Sequence, residues 1–283
     1  MDMLVIGGSR FVGPIIVEKL LAKNHKITVF NRGKIQDKYK KVEFIKGDRN
    51  KGFDTDRHFD VVIDTCAYTG QQTKSAIDSL DFDFFMNFGT AASYKKSEIF
   101  PLTEDSPIGD WPVWGDYNKG KVECENVLEK SGISFATIRP VYILGPKNYC
   151  DRENFICSRI KNNKPLTLPG NGQALVQFVF AKDVAESIVL LVEKRLEGNF
   201  NCAGNETITL KGLVHEMGKI VGKEPVIKFN ASADGENHKE SEFPFANENF
   251  FCTNNKLKRI GIKFTPLAKG LKEDYESYYK KLI

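Results

Sequence analysis

The stretch Met3-Leu4-Val5-Ile6-Gly7-Gly8-Ser9-Arg10-Phe11-Val12-Gly13 decides how the rest of the chain is read. Its four leading apolar residues, stopped by glycine, read as a strand. Phe11, Val12, Ile15, Ile16, Leu20 and Leu21 then recur at helical spacing and mark one helix face. Pro14 falls in the first turn of that helix, where a missing N–H does little harm. Between strand and helix, Gly7 allows a tight turn and Gly13 lets the two elements pack closely. The N–H groups at the helix start are suited to hold a pyrophosphate. The spacing is that of the outer glycines of G-x-x-G-x-x-G, with Arg10 in the middle position. A glycine turn alone is weak evidence, since a strand-to-helix turn without a ligand looks the same. Its place directly after the first strand gives it weight.

Outward from that turn, short apolar runs alternate with helical patterns. Strands are expected at 26–30, 42–45, 59–63, 84–88 and 135–138, with helices at 71–80 and 117–130. This alternation implies a parallel sheet covered on both faces, and right-handed crossovers make it an α/β doubly wound Rossmann fold. After Pro140 the rhythm loosens. Residues 142–168 read as loop-rich, with helical character at 155–161. An amphipathic helix follows at 183–196, a further strand at 198–202, a polar, turn-rich region at 225–249 and a helix at 267–279. The expected organisation is an NAD(P)-binding Rossmann domain over 1–165, to which 175–205 returns. A small α/β substrate-binding lobe over 166–283 interleaves with it.

Composition narrows the function classes. The 283 residues are 41% hydrophobic and 28% charged, which excludes disordered and collagen-like chains. Lys and Arg exceed Asp and Glu by 41 to 37, too weak an excess to argue for nucleic acid, which demands a concentrated basic face. No apolar run approaches the length of a membrane span, and the first apolar run leads straight into turn chemistry rather than a cleavage site. Cys66, Cys124, Cys150, Cys157, Cys202 and Cys252 contain no C-x-x-C pair, and several sit in apolar runs. They read as reduced thiols of a cytoplasmic protein. The four histidines show no metal-ligand spacing, so no metal is expected.

The end of the second strand selects between cofactors. An acidic residue there binds the adenosine ribose hydroxyls and repels a 2′-phosphate. Here Asn31 and Arg32 stand at that place, with Arg10 across the turn, and together they favour NADP over NAD. Asp48, closing the third strand, either accepts from the adenine amino group or caps the next turn. The second chemical signal is Tyr117-Asn118-Lys119-Gly120-Lys121. On a helix, Tyr117 and Lys121 share a face one turn apart. A phenol with a pKa of about 10 is a poor base at neutral pH, and a neighbouring ammonium lowers that value. The pair can then exchange a proton with a substrate hydroxyl while a nicotinamide takes or returns the electrons.

Five pieces occur in order: the glycine turn, Gly47-Asp48, the strand end Phe88-Gly89-Thr90-Ala91-Ala92-Ser93-Tyr94, the stretch Leu102-Thr103-Glu104-Asp105-Ser106-Pro107 ahead of Tyr117 and Lys121, and Ile138-Arg139-Pro140 with Leu144-Gly145-Pro146. With them the chain resembles an extended or atypical short-chain dehydrogenase/reductase of the NAD-dependent epimerase/dehydratase type. Gln177-Phe178-Val179 and Ala181-Lys182-Asp183-Val184-Ala185 carry the likeness toward residue 200. The resemblance implies Thr90 as third member of a catalytic triad, with Ser93 as its substitute. It further implies that Asp64, Thr65, Cys66 and Ala67 run beside the cofactor, and that Pro140 and Tyr142 flank its nicotinamide end. The cofactor-binding set is thus Gly7, Ser9, Arg10, Phe11, Val12, Gly13, Asn31, Arg32, Asp48, Asp64, Thr65, Cys66, Ala67, Lys121, Pro140 and Tyr142. The implied activity is an NAD(P)-dependent oxidoreductase, epimerase or dehydratase acting on a hydroxyl or carbonyl of a small molecule such as a sugar derivative. Homodimers built on the helix carrying Tyr117 are common in that family. A branch with similar glycine turns includes plant stem-loop RNA-binding proteins. A non-catalytic RNA-binding or NADP-sensing protein on the same fold is therefore the alternative. Trp111, Trp114 and Arg152 are the residues expected at the substrate pocket.

Overall fold

The computed structural model describes residues 1–33, 41–233 and 237–283. The elements run β1 (Asp2–Ile6), α1 (Val12–Ala22), β2 (Lys26–Asn31), β3 (Val42–Lys46), β4 (His58–Asp64), α2 (Gly70–Ser79), β5 (Asp81–Phe88), α3 (Gly115–Ser131) and β6 (Phe135–Pro140). They continue with β7 (Tyr142–Leu144), α4 (Glu153–Lys161), β8 (Leu166–Pro169), β9 (Leu175–Phe180), α5 (Ala181–Lys194) and β10 (Gly198–Cys202). Last come β11 (Thr207–Thr209), α6 (Leu210–Val221), β12 (Ile227–Asn230), α7 (Asn255–Arg259) and α8 (Leu267–Ser277).

A seven-stranded sheet in the order β10-β6-β5-β4-β1-β2-β3 lies at the centre, with every pairing parallel. Its inner strands are apolar over most of their length because both faces are covered. Along β1, Leu4 and Ile6 face one way and join Ala76 of α2 and Leu128 of α3. Met3 and Val5 face the other and pack with Ile16 and Val17 of α1 and Val184 and Ile188 of α5. The period of two along the strand thus divides the core into two layers. Strand order reverses between β1 and β4, which opens a crevice at the carboxyl ends of these strands, the place where such sheets take ligands.

Residues 175–205 divide their allegiance. β10 pairs with β6 in the central sheet and α5 packs beside α1, whereas β9 pairs with β7 and β11 in a separate three-stranded sheet. β8 and β12 form a third, two-stranded sheet. The strands β7, β8, β9, β11 and β12 and the helix α6 are not anticipated in the sequence. Five of them are strands of three to six residues, and their partners are distant: Leu166 opposes Ile227. Periodicity cannot reveal a strand shorter than its own signal.

The C-terminal segment fastens the chain beyond β7. The Gly145 N–H donates to Glu153 Oε1 at 2.7 Å, and the Tyr279 hydroxyl donates to Gly145 O at 2.7 Å. Glu153 is 2% exposed and its Oε2 has no partner. Burial pushes this carboxyl up to about 8 against the opposing Gly145 hydrogen bond, with Asp274 adding to the rise. The folded protein therefore holds a proton that the unfolded chain releases above its ordinary value of 4.5. The stability this confers is complete below that value and is lost as pH rises through about 8. Urea midpoints measured from pH 5 to 8 should fall more steeply for the native chain than for Glu153→Gln, and parallel curves would refute the protonated Glu153.

Candidate active site

The turn after β1 is held from behind. The Gly7 N–H donates to Phe30 O at 2.9 Å, and the Gly8 N–H to Thr65 Oγ1 at 3.1 Å. Thr65 Oγ1 in turn donates to Ile6 O at 2.8 Å. Thr65 therefore ties the end of β4 to the turn, and the N–H groups of Gly7 and Gly8 are spent. The N–H groups of Arg10, Phe11 and Val12 make no hydrogen bond among the described residues, and they stand at the start of α1. These are the donors left for a pyrophosphate. A Cβ on Gly13 would lie 2.5 Å from the Gly8 carbonyl carbon, so only glycine permits this approach of helix to turn. Arg10 replaces a glycine without strain, because the positive φ falls on Gly7, Gly8 and Phe11 instead. Phe11, at φ 50°, is a bulky residue in a region that disfavours one. Its ring meets Tyr149 edge-on at 6.0 Å. These donors and this cradle fit a dinucleotide.

Around the turn, Asn31 Nδ2 donates to Ser9 Oγ at 3.0 Å and its Oδ1 accepts from Gly33 N at 2.7 Å. Arg10 and Arg32 are exposed, and no acidic side chain among the described residues pairs with either. Asp48 caps the short helical turn Arg49–Lys51 by accepting from Asn50 N at 3.0 Å, the second of its two expected roles. Asp64 is occupied too. Its carboxylate takes Arg49 Nη1 at 2.6 Å and Nη2 at 2.8 Å, and Oδ1 also accepts from Cys66 N. Asp64 thus builds the floor of the crevice, with Arg49 as a partner that sequence reasoning missed. Cys66 lies 3.5 Å from Arg49 Nη1, and Ala67 is buried.

On the opposite wall, α3 brings the catalytic candidates to the end of β5. Thr90, just beyond β5, caps the turn Ala91–Ser93 through Ala92 N at 3.1 Å, and its hydroxyl faces that of Tyr117. The Tyr117 ring is 44% exposed to the open crevice, whereas protein crowds its hydroxyl. Burial raises the phenol's pKa, opposed by the Thr90 hydrogen bond and by the charge of Arg152. Lys121 is 3% exposed; its Nζ donates to Phe88 O at 2.8 Å and lies 5.1 Å from the Tyr68 ring and 6.0 Å from that of Tyr117. Burial lowers its pKa. A Cβ on Gly120 would lie 2.0 Å from Tyr68 O, so the glycine between the pair admits the Tyr68 loop against α3. Ser93, the expected substitute for Thr90, is fully buried with an unpartnered hydroxyl.

The far side closes with aromatic residues. Pro140 ends β6 in the core, and Tyr142 is 7% exposed, ringed by Trp114, Phe178, Phe245 and Phe250. Trp111 is buried beside Trp114. The loop 145–152 reaches back across the crevice: Tyr149 touches Phe11, and its hydroxyl interacts with that of Tyr68, whose ring lies 6.3 Å from Tyr117. Tyr68 and Tyr149 were invisible in the sequence, since a loop tyrosine carries no pattern. All six cysteines are free thiols.

A dinucleotide crevice faced by a Thr-Tyr-Lys cluster defines a short-chain dehydrogenase/reductase of the extended type. Residues 3–82 and 74–203 match the NAD dependent epimerase/dehydratase family, and the chain belongs to it as an NAD(P)-dependent enzyme. Chloroplast stem-loop binding protein of 41 kDa b from Arabidopsis thaliana is 30% identical over 96% of this chain and 78% of its own length. UDP-glucuronic acid decarboxylase 1 of the same plant is 22% identical over 84% and 62%. Among solved structures, UDP-glucuronic acid 4-epimerase from Bacillus cereus with NAD superposes with a TM-score of 0.79 at 19% identity, over 100% of this chain and 99% of that one. UDP-glucose 4-epimerase from Thermus thermophilus with NAD gives 0.76 at 17%, with both chains covered completely. These two likenesses speak for the fold. No helix among the described residues is long and apolar enough to cross a membrane.

Replacing Thr65 by Val keeps its shape but leaves Gly8 N–H and Ile6 C=O without their partner. A loss of about 1–3 kcal/mol is expected. It should be read as a lower thermal midpoint together with weaker binding of the dinucleotide in a titration.

Proposed function

We propose that the protein oxidises and reduces a secondary alcohol or ketone of a sugar derivative, with Tyr117 as the group that moves the proton. The observation that carries this is the meeting of Thr90, Tyr117 and Lys121 on the wall facing the phosphate turn. The names of its relatives, a UDP-glucuronic acid decarboxylase and UDP-glucose 4,6-dehydratases, support a sugar derivative as substrate. The backbone donors of Arg10, Phe11 and Val12 hold the dinucleotide's phosphates. The dinucleotide supplies, when bound, a ring that accepts and returns two electrons. Thr90 orients the substrate oxygen toward the Tyr117 phenol. In the oxidative direction the phenolate accepts the hydroxyl proton; in the reductive direction the phenol returns it. Lys121 stands in reach of the ring as the ammonium that favours the phenolate. It is held by Phe88 O, so its position does not depend on the substrate.

Three finer readings accompany this one. NADP is preferred to NAD, supported by Asn31 in place of an acid and by the guanidinium groups of Arg10 and Arg32, with which no acidic side chain among the described residues pairs. The protein is cytoplasmic, supported by six unpaired thiols. It forms a homodimer through α2 and α3. A surface groove of about 710 Å3 runs between these helices, lined by Gly70, Ile77, Glu123 and Val127 among others, and supports this. A second reading has one specific support. The relative at 30% identity is named a stem-loop binding protein, so nucleic-acid binding on the same fold is the competing assignment. It demands an affinity that falls steeply with salt.

Tyr117→Phe should lower turnover by about 10²–10⁴-fold with dinucleotide affinity unchanged. Unchanged turnover would remove Tyr117 from the reaction. In calorimetric titration NADP and NADPH should bind about tenfold more tightly than NAD and NADH, one charge-assisted contact's worth. Arg32→Ala should erase that difference.

A further inference from the structure

We propose that Arg152 is a specificity-determining residue whose guanidinium grips an oxyanion that the substrate carries close to its reacting carbon, which makes the natural substrate an acid rather than a neutral sugar. The inference rests on the reading of Tyr117 given above and adds the substrate's charge.

Three arginines lie in the interior or at its edge near the site, and their surroundings differ. Arg49 is answered by Asp64 at 2.6 Å and Arg139 by Glu125, with Nε at 3.0 Å. Arg152 has no carboxylate within 4.0 Å among the described residues. Its guanidinium instead lies 5.0 Å from the Tyr142 ring and 5.8 Å from that of Phe245. Nη1 donates to Ile143 O at 3.3 Å, and Nε and Nη2 make no hydrogen bond among the described residues. Two carboxylates act on the same Tyr142. Glu248 is already taken by Lys96 at 3.0 Å, and Glu240 stays beyond ion-pair distance of Arg152.

A half-buried cation with no carboxylate in ion-pair reach among the described residues is costly, and ring faces return only part of the lost hydration. The loop that carries the fork is itself fixed. Arg152 N–H donates to Cys150 O at 2.8 Å, Cys150 N–H to Asn148 Oδ1 at 3.0 Å, and Asn148 Nδ2 to Ile143 O at 3.0 Å. The guanidinium lies over the rings with Nε and Nη2 free of hydrogen bonds among the described residues, the groups that pair with a carboxylate or phosphate. Its position relative to the chemistry follows from Tyr117. The Tyr142 ring under Arg152 meets Trp114 edge-on at 5.9 Å, and Trp114 stands three residues before Tyr117 at the start of α3, so the charge of Arg152 reaches the Tyr117 hydroxyl. An anion bound there lies beside the reacting alcohol.

The test uses the full chain saturated with its preferred dinucleotide and calorimetric titration of matched acids and neutral sugars. The probes are UDP-glucuronic acid against UDP-glucose, glucuronate against glucose, and glucose 6-phosphate against glucose, with UDP alone as control. At least one acid should bind about tenfold more tightly than its neutral partner. The ratio should fall to near one in Arg152→Gln and be kept in part by Arg152→Lys, with dinucleotide affinity unchanged in both. A preference for glucuronate assigns a carboxylate, and one for glucose 6-phosphate a phosphate; either supports the proposal. Equal affinity within every pair, a preference that survives Arg152→Gln, or no binding by any acid overturns it. So does an equal weakening of UDP, UDP-glucose and UDP-glucuronic acid, which would place Arg152 at the diphosphate. Because the readout is binding, Tyr117→Phe retains the preference. An inert protein that still prefers acids would sink the proposed reaction and leave this inference standing.

Discussion

A single threonine hydroxyl organises the crevice. Thr65 Oγ1 joins Ile6 O to Gly8 N–H, and so couples the ends of β1 and β4 at the point where strand order reverses. A strand-to-helix turn must solve two opposed problems. Most of its polar groups need partners, since an unpaired buried N–H costs about 1–3 kcal/mol. A few must be left unpaired, or there is nothing to bind a phosphate. Thr65 and Phe30 satisfy the turn from behind, at Gly8 and Gly7, and the N–H groups of residues 10–12 are left without a partner among the described residues. The site exists because satisfaction stops at that residue.

Charge in the interior is arranged by the same rule. Arg49 with Asp64 and Arg139 with Glu125 are closed pairs, and each fixes elements whose ends form the site. The first links the turn after β3 to the end of β4; the second links β6 to α3. Arg139 also donates to the Tyr94 hydroxyl, which donates to Asn201 of β10. Removing one member of such a pair leaves an uncompensated charge, a loss of about 3–5 kcal/mol. Lys121 and Arg152 obey a different rule: they are cations held by carbonyls and rings rather than by carboxylates. Closed pairs hold the frame, and the two cations outside them have no carboxylate in ion-pair reach among the described residues.

The central sheet was legible because its inner strands are largely apolar runs bounded by turn chemistry and covered on both faces, whereas its edge strands β3 and β10 carry polar residues and stay partly exposed. The expected strand at 198–202 is β10, and the expected helix at 183–196 is α5, displaced by two residues. The lobe was not legible, since its strands are short and gain their identity from pairing across long separations. At the site, spacing located the glycine turn, Tyr117 and Lys121. It could not distinguish a residue that faces ligand from one that supports it. Thr65 and Asp64 stand in the expected loop, yet their polar atoms are consumed by Gly8, Ile6, Arg49 and Cys66. Such a distinction depends on which atoms are already bonded, and that is a property of three dimensions.

The loop 145–152 is where lobe and frame become one machine. Gly145 at its base is fixed by Glu153 on one side and Tyr279 on the other, so the chain's last residues determine where the loop sits. From that base Tyr149 reaches Phe11 in the turn after β1 and Tyr68 beside Tyr117, while Arg152 lies on Tyr142. Phe11 holds a strained backbone at φ 50°, and a strained residue persists only where its neighbours over-determine it. Tyr149 and Gly145 are those neighbours. A shift of the loop would therefore be felt at the phosphate donors next to Phe11 and at the guanidinium in the same motion. The fold thus joins the turn after β1 to the rings around Tyr142 through side-chain contacts of one loop rather than through the sheet.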